Sequence, residues 1–246
     1  MVGLIGTFAN VGGIIIGTLV GLLLKRGIPK RIGNSIIKAQ GIAVIVIGLN
    51  GILTAMLSVG AGGKLQVSGT LLLLISLVLG CACGEFLRIE DRLNNVCARV
   101  ERKIGTSGLA RGFITATLIY AIGAMTIVGA INDGLHGDHT VLFTKTALDC
   151  ITSVVLASSL GIGVMFAALP VLVIQGSIAL LAHALAPYVT AEPIRLFSMV
   201  GFALVMAIGI NFVGNTKIRV ANLLPALLIP FIYYYLILQF IMPLFG

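Results

Sequence analysis

The chain has 246 residues, of which 59% are hydrophobic and only 10% are charged, and its mean hydropathy is +1.14. A soluble domain carries about 25% charged residues, so this composition excludes a globular domain surrounded by water and indicates a protein surrounded largely by lipid. The net charge of +8 would suggest nucleic acid as the partner of a soluble protein. Here the basic residues cluster between apolar segments, as in membrane proteins, and we expect no nucleic-acid partner.

Eight apolar segments are each about long enough to cross the roughly 30 Å hydrocarbon core of a bilayer. The run 142–187 is too long for one span, and only the GIG at 161–163 and Pro170 indicate where it turns, so seven spans remain an alternative. We predict an all-α polytopic transmembrane bundle that forms a single domain, 1–246. The predicted spans are 3–24, 35–57, 68–86, 112–131, 142–165, 167–187, 195–214 and 220–244.

The distribution of Lys and Arg predicts the orientation of the chain. With eight spans, the loops after spans one, three and seven lie on one side and carry most of the 16 basic residues. Only Lys64, Lys145 and Arg195 fall on the other side. Because basic loops stay in the cytoplasm, both termini are predicted to lie outside. The N-terminal MVGLIGT has no basic n-region, so we expect the first span to be retained.

The stretch 85–104, EFLRIEDRLNNVCARVERKI, is the one amphipathic segment, with apolar residues at spacings of three and four. We interpret it as a cytoplasmic helix that lies on the bilayer or on the basic loops. A short dimerisation helix is the alternative. DNA binding is disfavoured because Glu90, Asp91 and Glu101 would repel phosphate.

Two stretches of the chain share a weak pattern at an offset of about 160 residues. FANVGGIIIGT (8–18) and FAALPVLVIQGS (166–177) each place a helix-disturbing element after Phe-Ala: Gly12-Gly13 in the first and Pro170 in the second. IGLN (47–50) and IGIN (208–211) show a similar offset. The pattern predicts repeat units 3–86 and 166–244 of opposite orientation, linked by 112–165, with broken helices in each, as in many secondary transporters. Coincidence in apolar sequence is the alternative.

Asp149 is the most unusual polar residue, because it lies about two turns inside predicted span five. A carboxylate there must face protein or water. Lys145 lies four residues earlier, on the same helical face. The pair is either a structural ion pair near the outer mouth or an ion-coupling site, in which Asp149 carries a proton or cation.

Four neutral amides form the predicted substrate-binding set. Asn10 and Gln175 lie close to the two predicted helix breaks, while Asn50 and Asn211 close the repeated segments. Taken singly, each amide is more typical of an interhelical hydrogen bond than of a ligand site.

The loop INDGLHGDHT (131–140) contains two of the three histidines and two of the eight acids. Its residue types could bind a metal. However, Gly134 and Gly137 indicate a flexible turn, and no remote ligand is evident in the sequence. We therefore assign no metal, and we expect water to solvate Asp133 and Asp138 at the outer end of the hairpin.

Small residues form stripes at Gly13, Gly17 and Gly21 and at Gly80 and Gly84. Such stripes let helices approach closely, and we expect packing within the chain rather than a homodimer seam, which remains a possible use. No hydrolase, metalloprotease, Walker or dinucleotide motif is present in the sequence. We therefore expect neither an enzyme nor a cofactor.

Several segments resemble the YdfK/YqgA-like family of bacterial inner-membrane proteins. They are GTFANVGGIIIGTLVGLLLKRGIP (6–29), GEFLRIEDRL (84–93), GFITATLIYAIGAMTIVGAINDGLHGD (112–138), KTALDCITSVVLASSLGIGVMFAALPVLVIQGS (145–177) and KIRVANLLPALL (217–228). The resemblance covers essentially the whole chain in the same order. It implies a bacterial inner-membrane location, and supplies no substrate, cofactor or catalytic residue.

Together these observations predict secondary transport of a small solute or ion, with Asp149 as the coupling residue and Asn10, Gln175, Asn50 and Asn211 as substrate contacts. The alternative is a non-transporting sensor or scaffold that binds a cytoplasmic partner through the 85–104 helix.

Overall fold

The computed structural model describes residues 4–25, 30–59, 63–104, 108–121, 124–185, 190–214 and 217–236. Apart from one short antiparallel hairpin, in which Leu57 pairs with Val67 and Val59 with Leu65, the elements are helices, and the predicted all-α membrane bundle is confirmed. In chain order the elements are α1 (Ile5–Lys25), α2 (Lys30–Met56), β1 (Leu57–Val59), β2 (Leu65–Val67), α3 (Thr70–Leu87), α4 (Ile89–Ile104), α5 (Leu109–Ala121), α6 (Ala124–His136), α7 (Thr140–Leu160), α8 (Gly163–Phe166), α9 (Ala168–Leu180), α10 (Ala182–Leu185), α11 (Ala191–Val213), a 3₁₀ helix (Val220–Leu228) and α12 (Ile229–Ile232).

Six helical stretches of the described chain are long and apolar enough to cross a membrane, and a seventh is added if α5 and α6 form one broken span. Predicted span four is thus two helices, with a bend of 63° between them. The run 142–187 turns at Gly161, whose φ of +80° is favourable only for glycine, as GIG indicated. Predicted span eight begins as the 3₁₀ helix, and its portion 237–244 lies outside the described residues.

The chain divides into two compact units, each built from separated stretches of sequence. The first combines 1–39 with 93–189, and the second combines 40–92 with 190–246. Each unit therefore contains one stretch from each of the two predicted repeat copies, 3–86 and 166–244. The repeat itself stays a prediction.

In the first unit, α1 packs along α7 through its glycine stripe. A Cβ on Gly13 would meet Thr146, one on Gly17 would meet the Cys150 carbonyl oxygen, and one on Gly21 would meet that of Val154. Because both sets of residue numbers increase together, α1 and α7 run parallel. The prediction that this stripe serves packing within the chain is confirmed.

In the second unit, α2 packs antiparallel to α11. Gly41 lies against Phe212 and Gly51 against Phe202. The second small-residue stripe packs α3 against the 3₁₀ helix in the same way: a Cβ on Gly80 would meet Ala226, and one on Gly84 would meet the Asn222 carbonyl oxygen.

The predicted helix breaks are only partly correct. α1 is continuous through Gly12 and Gly13, because adjacent glycines lower helix stability without removing a hydrogen bond. The interruption between α8 and α9 falls at Ala167. Pro170 accounts for it, since its ring removes the hydrogen bond to the carbonyl of Phe166, four residues earlier.

The amphipathic segment forms a separate helix, α4, after α3 ends. Arg88 separates the two helices in a left-handed conformation (φ +50°). The Glu101 carboxylate accepts a hydrogen bond from the Leu109 backbone N–H at 2.6 Å, which ties the end of α4 to the start of α5.

Candidate functional site

A row of polar side chains on α7 forms the centre of the candidate site. Lys145, Asp149 and Ser153 follow one another at intervals of four residues and are all buried, because this spacing places them on one helical face. The Lys145 Nζ donates a hydrogen bond to the Asp149 carboxylate. The structure thus forms the ion pair that the spacing predicts, on the face of α7 that packs against other helices.

Two amides meet beside this ion pair. Asn10 of α1 and Gln175 of α9 are both fully buried, and the Asn10 Nδ2 donates to the Gln175 Oε1 at 3.3 Å. The Asn10 side chain also lies beside the Asp149 carboxylate, close enough to interact with it electrostatically. Four of the six residues predicted from the sequence therefore converge in the first unit.

The broken helix pair adjoins the same site. Tyr120, at the end of α5, shares a 2.7 Å hydrogen bond with the Ser153 hydroxyl, and the Lys145 Nζ lies 5.9 Å from the centre of the Tyr120 ring. Thr126 of α6 donates to the Tyr120 carbonyl oxygen at 3.0 Å, satisfying a group that the break leaves open. The sequence predicted no break in span four, whereas the structure has one between α5 and α6, and it adjoins the ion pair.

Asn50 and Asn211 belong to the second unit and lie apart from each other. Asn50 is exposed on α2. Asn211 donates to the Ile218 carbonyl oxygen at 2.7 Å and accepts from the Ile218 N–H at 2.9 Å. Asn211 therefore ties the end of α11 to Ile218, and its role in substrate binding stays a prediction.

The stretch 131–140 differs from expectation, because residues 131–136 belong to α6 rather than to a flexible turn and one of its two acids is buried. Asp133 is fully buried, and its carboxylate accepts hydrogen bonds from the Thr7 N–H (3.2 Å) and the His139 Nδ1 (2.5 Å). The expectation that water solvates it is wrong, because the first turn of α1 has free N–H groups that attract a carboxylate. Asp138 is exposed, as expected, and its hydrogen bonds with Thr140 hold the pKa of its carboxyl below its ordinary value.

The described residues contain no group of three or more His, Cys, Asp or Glu side chains that could hold a metal ion. Oxygen, amide and ammonium groups make up the site instead. Such an arrangement can bind a proton, a cation or a small polar solute, provided that the ion pair opens.

Apolar helices of membrane-spanning length and a buried ion pair define the class: a polytopic α-helical membrane protein. Residues 5–235 match the family described as "protein of unknown function (DUF554)", and the chain belongs to that family.

Two curated relatives match almost end to end. The Bacillus subtilis (strain 168) protein named "uncharacterized membrane protein YdfK" is 35% identical over 225 residues, covering 92% of this chain and 93% of the relative. The Escherichia coli (strain K12) protein named "uncharacterized protein YqgA" is 29% identical over 232 residues, covering 92% and 94%. No solved structure matches significantly. The resemblance noted in the sequence is thereby confirmed.

Proposed function

We propose that this protein is a secondary transporter that moves a small solute or ion across the bacterial inner membrane, driven by a proton or cation gradient. One observation carries the proposal: the buried Lys145–Asp149 pair lies beside two buried amides and a broken helix. Each charge inside a membrane costs about 2.5–3.5 kcal/mol or more. A structural bundle could omit both groups, whereas an ion-coupled transporter needs a buried group that can change its charge state.

The geometry supports Asp149 as the coupling residue. Lys145 satisfies its carboxylate while no other cation is bound, and the Asn10 amide lies beside it. A proton or cation that binds Asp149 competes with Lys145 for the same oxygens. Binding therefore releases the Lys145 ammonium toward the Tyr120 ring, where a cation is favourable. Because Asn10 touches both Asp149 and Gln175, this change reaches the amides directly.

Helix directions support the predicted orientation. α1 and α7 run parallel, so an odd number of crossings separates them. If α2 and α3 each cross once, the broken pair α5–α6 supplies the third crossing. The basic loops after α1 and around α4 then share the cytoplasmic side, and the N-terminus lies outside. Protection of an N-terminal tag from external protease in spheroplasts would contradict this orientation.

The test of transport uses the purified full chain in proteoliposomes containing a pH-sensitive dye. External sodium chloride, potassium acetate, glycine, acetamide and ethylammonium chloride are added in turn under an imposed pH gradient. We expect one addition to drive proton movement in the wild type beyond that in protein-free liposomes, and Asp149→Asn to abolish this excess, because a neutral amide cannot exchange a proton.

The matched control is Thr18→Val, an isosteric change of a buried hydroxyl on α1, two turns beyond Asn10. It should leave the flux unchanged. Equal flux in wild type and Asp149→Asn, or no flux with any addition, would reject the proposed transport.

The alternative, a sensor or scaffold, is favoured by one feature of α4. Val96 is 57% exposed on this amphipathic helix, so its apolar face is not fully covered by the described chain. Val96→Asp should then abolish capture of a cytoplasmic partner and leave proteoliposome flux intact. Under the transport proposal, Val96→Asp changes neither the dependence of the flux on the proton gradient nor the identity of the solute that drives it.

A further inference from the structure

Two buried polar atoms at the centre of the site are left without a hydrogen bond by the described part of the chain. Within the part of the chain that the structure describes, neither the Asn10 Oδ1 nor the Gln175 Nε2 has a hydrogen-bond partner, although both side chains are fully buried. Leaving a buried polar atom unpaired is costly. Atoms of this kind, next to an ion pair, are what a bound polar ligand would satisfy.

The groups around the ion pair determine which amide atoms of Asn10 and Gln175 remain without a hydrogen-bond partner. Asn10 donates an amide N–H to the Gln175 Oε1, and the same amide group lies beside the Asp149 carboxylate. Reversing Asn10 would set its oxygen against both acceptors, and reversing Gln175 would set one NH₂ group against another. The open set is therefore one acceptor, the Asn10 Oδ1, and one donor group, the Gln175 NH₂.

There is also open space at Gly176, the residue that follows Gln175. Gly176 is buried on α9, yet apart from its chain neighbours and the backbone of its own helix no described atom lies within 4 Å of the position that a Cβ would occupy. The stripe glycines differ, since a Cβ on Gly17 would lie 2.2 Å from the Cys150 carbonyl oxygen. Gly176 thus borders open space rather than a helix contact.

The charges decide the class of ligand. Lys145 and Asp149 already neutralise each other, so a ligand with a net charge would leave one charge uncompensated where the dielectric constant is low. A ligand with no net charge, but with both a donor and an acceptor, satisfies the Asn10 and Gln175 atoms and keeps the balance.

We propose that the Asn10–Gln175 edge binds a small solute of zero net charge that carries one donor and one acceptor group. The amino-acid zwitterion and the primary carboxamide share this chemistry. The solute's donor bonds to the Asn10 Oδ1, its acceptor bonds to the Gln175 NH₂, and its body occupies the space at Gly176. This inference rests on the proposed function, since it names the solute class of the same site.

The experiment compares four probes of nearly equal size: glycine (zwitterion), acetamide (neutral amide), acetate (anion) and ethylammonium (cation). Binding to the purified full chain in detergent is measured by calorimetry. We expect glycine or acetamide to bind at least tenfold more tightly than acetate and ethylammonium, and the stronger of the two identifies the subclass. Tighter binding of acetate or ethylammonium would overturn the inference. So would no binding of any probe at about 10 mM, ten times the upper end of ordinary KM values.

Two variants locate the binding. Gln175→Leu removes the open donor and should weaken the bound probe about tenfold, as expected for one lost hydrogen bond. Gly176→Ala places a methyl group in the adjacent space and should weaken it similarly without unfolding the protein, because the added Cβ contacts no other part of the described chain. Thr18→Val should bind like the wild type. Unchanged affinity in both site variants would place the ligand elsewhere and reject the assignment.

The outcome separates this inference from the transport proposal. Flux that depends on Asp149 and is driven by sodium or acetate would support the transport proposal and reject the inference that the solute has no net charge. Binding of glycine or acetamide without any flux would keep the solute class and reject transport.

Discussion

Gly17→Ala tests the close approach of α1 to α7. In the native packing, the new Cβ would lie 2.2 Å from the Cys150 carbonyl oxygen and 2.9 Å from the Ser153 Cβ. Neither neighbour can yield easily, because the first is backbone and the second is the root of a side chain. Ordinary contact begins at 3.4 Å, so the two helices must separate by about 1 Å, and overpacking of this kind costs about 1–3 kcal/mol.

The matched control is Gly12→Ala on the same helix, where no described atom lies within 4 Å of the added Cβ. Replacing Gly by Ala in a helix also gains up to about 1 kcal/mol of intrinsic propensity. Both variants share that gain, so it cancels in their difference. The difference in unfolding free energy between them should therefore equal the overpacking cost alone, about 1–3 kcal/mol.

Unfolding in mixed micelles with increasing denaturing detergent, followed by circular dichroism, measures this difference. We expect Gly12→Ala to be as stable as the wild type or more stable, and Gly17→Ala to be the least stable of the three. If the two variants unfold within about 0.5 kcal/mol of each other, then α1 does not touch α7 at Gly17, and the geometry that brings Asn10 to Asp149 is refuted with it.

Two further predictions concern residues outside that contact. Asn211→Ala loses both hydrogen bonds to Ile218 and should lower the unfolding free energy by about 1–3 kcal/mol. Asn50→Ala, at an exposed position, should change the unfolding free energy by less than about 0.5 kcal/mol. If both variants instead keep their stability and lose solute flux, the four-amide substrate set predicted from the sequence is correct. Burial raises the pKa of Glu90 above its ordinary 4.5, and the hydrogen bond that Glu90 accepts from the Ala221 N–H opposes this only partly. The folded state therefore holds the Glu90 proton more tightly than the unfolded state does. The stability that this proton contributes is present at low pH and is lost as the pH rises from 4.5 through the raised pKa. Glu90→Gln keeps the acceptor and should flatten the unfolding free energy across that window, and a wild-type slope retained in the variant would assign the pH dependence to another group.

Local spacing was enough to predict some of the site and none of its tertiary connections. The pairing of Lys145 with Asp149 follows from four-residue spacing on a helix, and Ser153 continues the same row, which was a usable signal that the sequence interpretation missed. Tyr120 could not be foreseen, because a tyrosine in an apolar helix resembles ordinary packing until the broken pair brings it to Ser153.

Asn10 and Gln175 were selected on reasoning that was only half correct. The expected break in α1 does not exist, since the Gly12-Gly13 pair leaves every backbone hydrogen bond available to form. Asp133 was taken for a solvated loop acid, because its partner, the N–H of Thr7, lies more than 100 residues away along the chain. Contacts between residues so far apart in the chain depend on which helices pack together, and the short-range patterns of a single sequence do not show this.

The parallel pairing of α1 with α7 also has a consequence for biosynthesis. More than 100 residues separate the end of α1 from the start of α7, and at about 5–20 residues per second the ribosome needs several seconds to produce them. During that interval α1 is in the membrane with Asn10 and its glycine stripe facing lipid or the insertion machinery. The first unit can assemble only after α9 has emerged, by which time α2 and α3 of the second unit have already been inserted. Membrane insertion and folding are therefore separate events for this chain, and a helper that shields α1 in the interval would act on the newly made protein before any native contact of α1 exists.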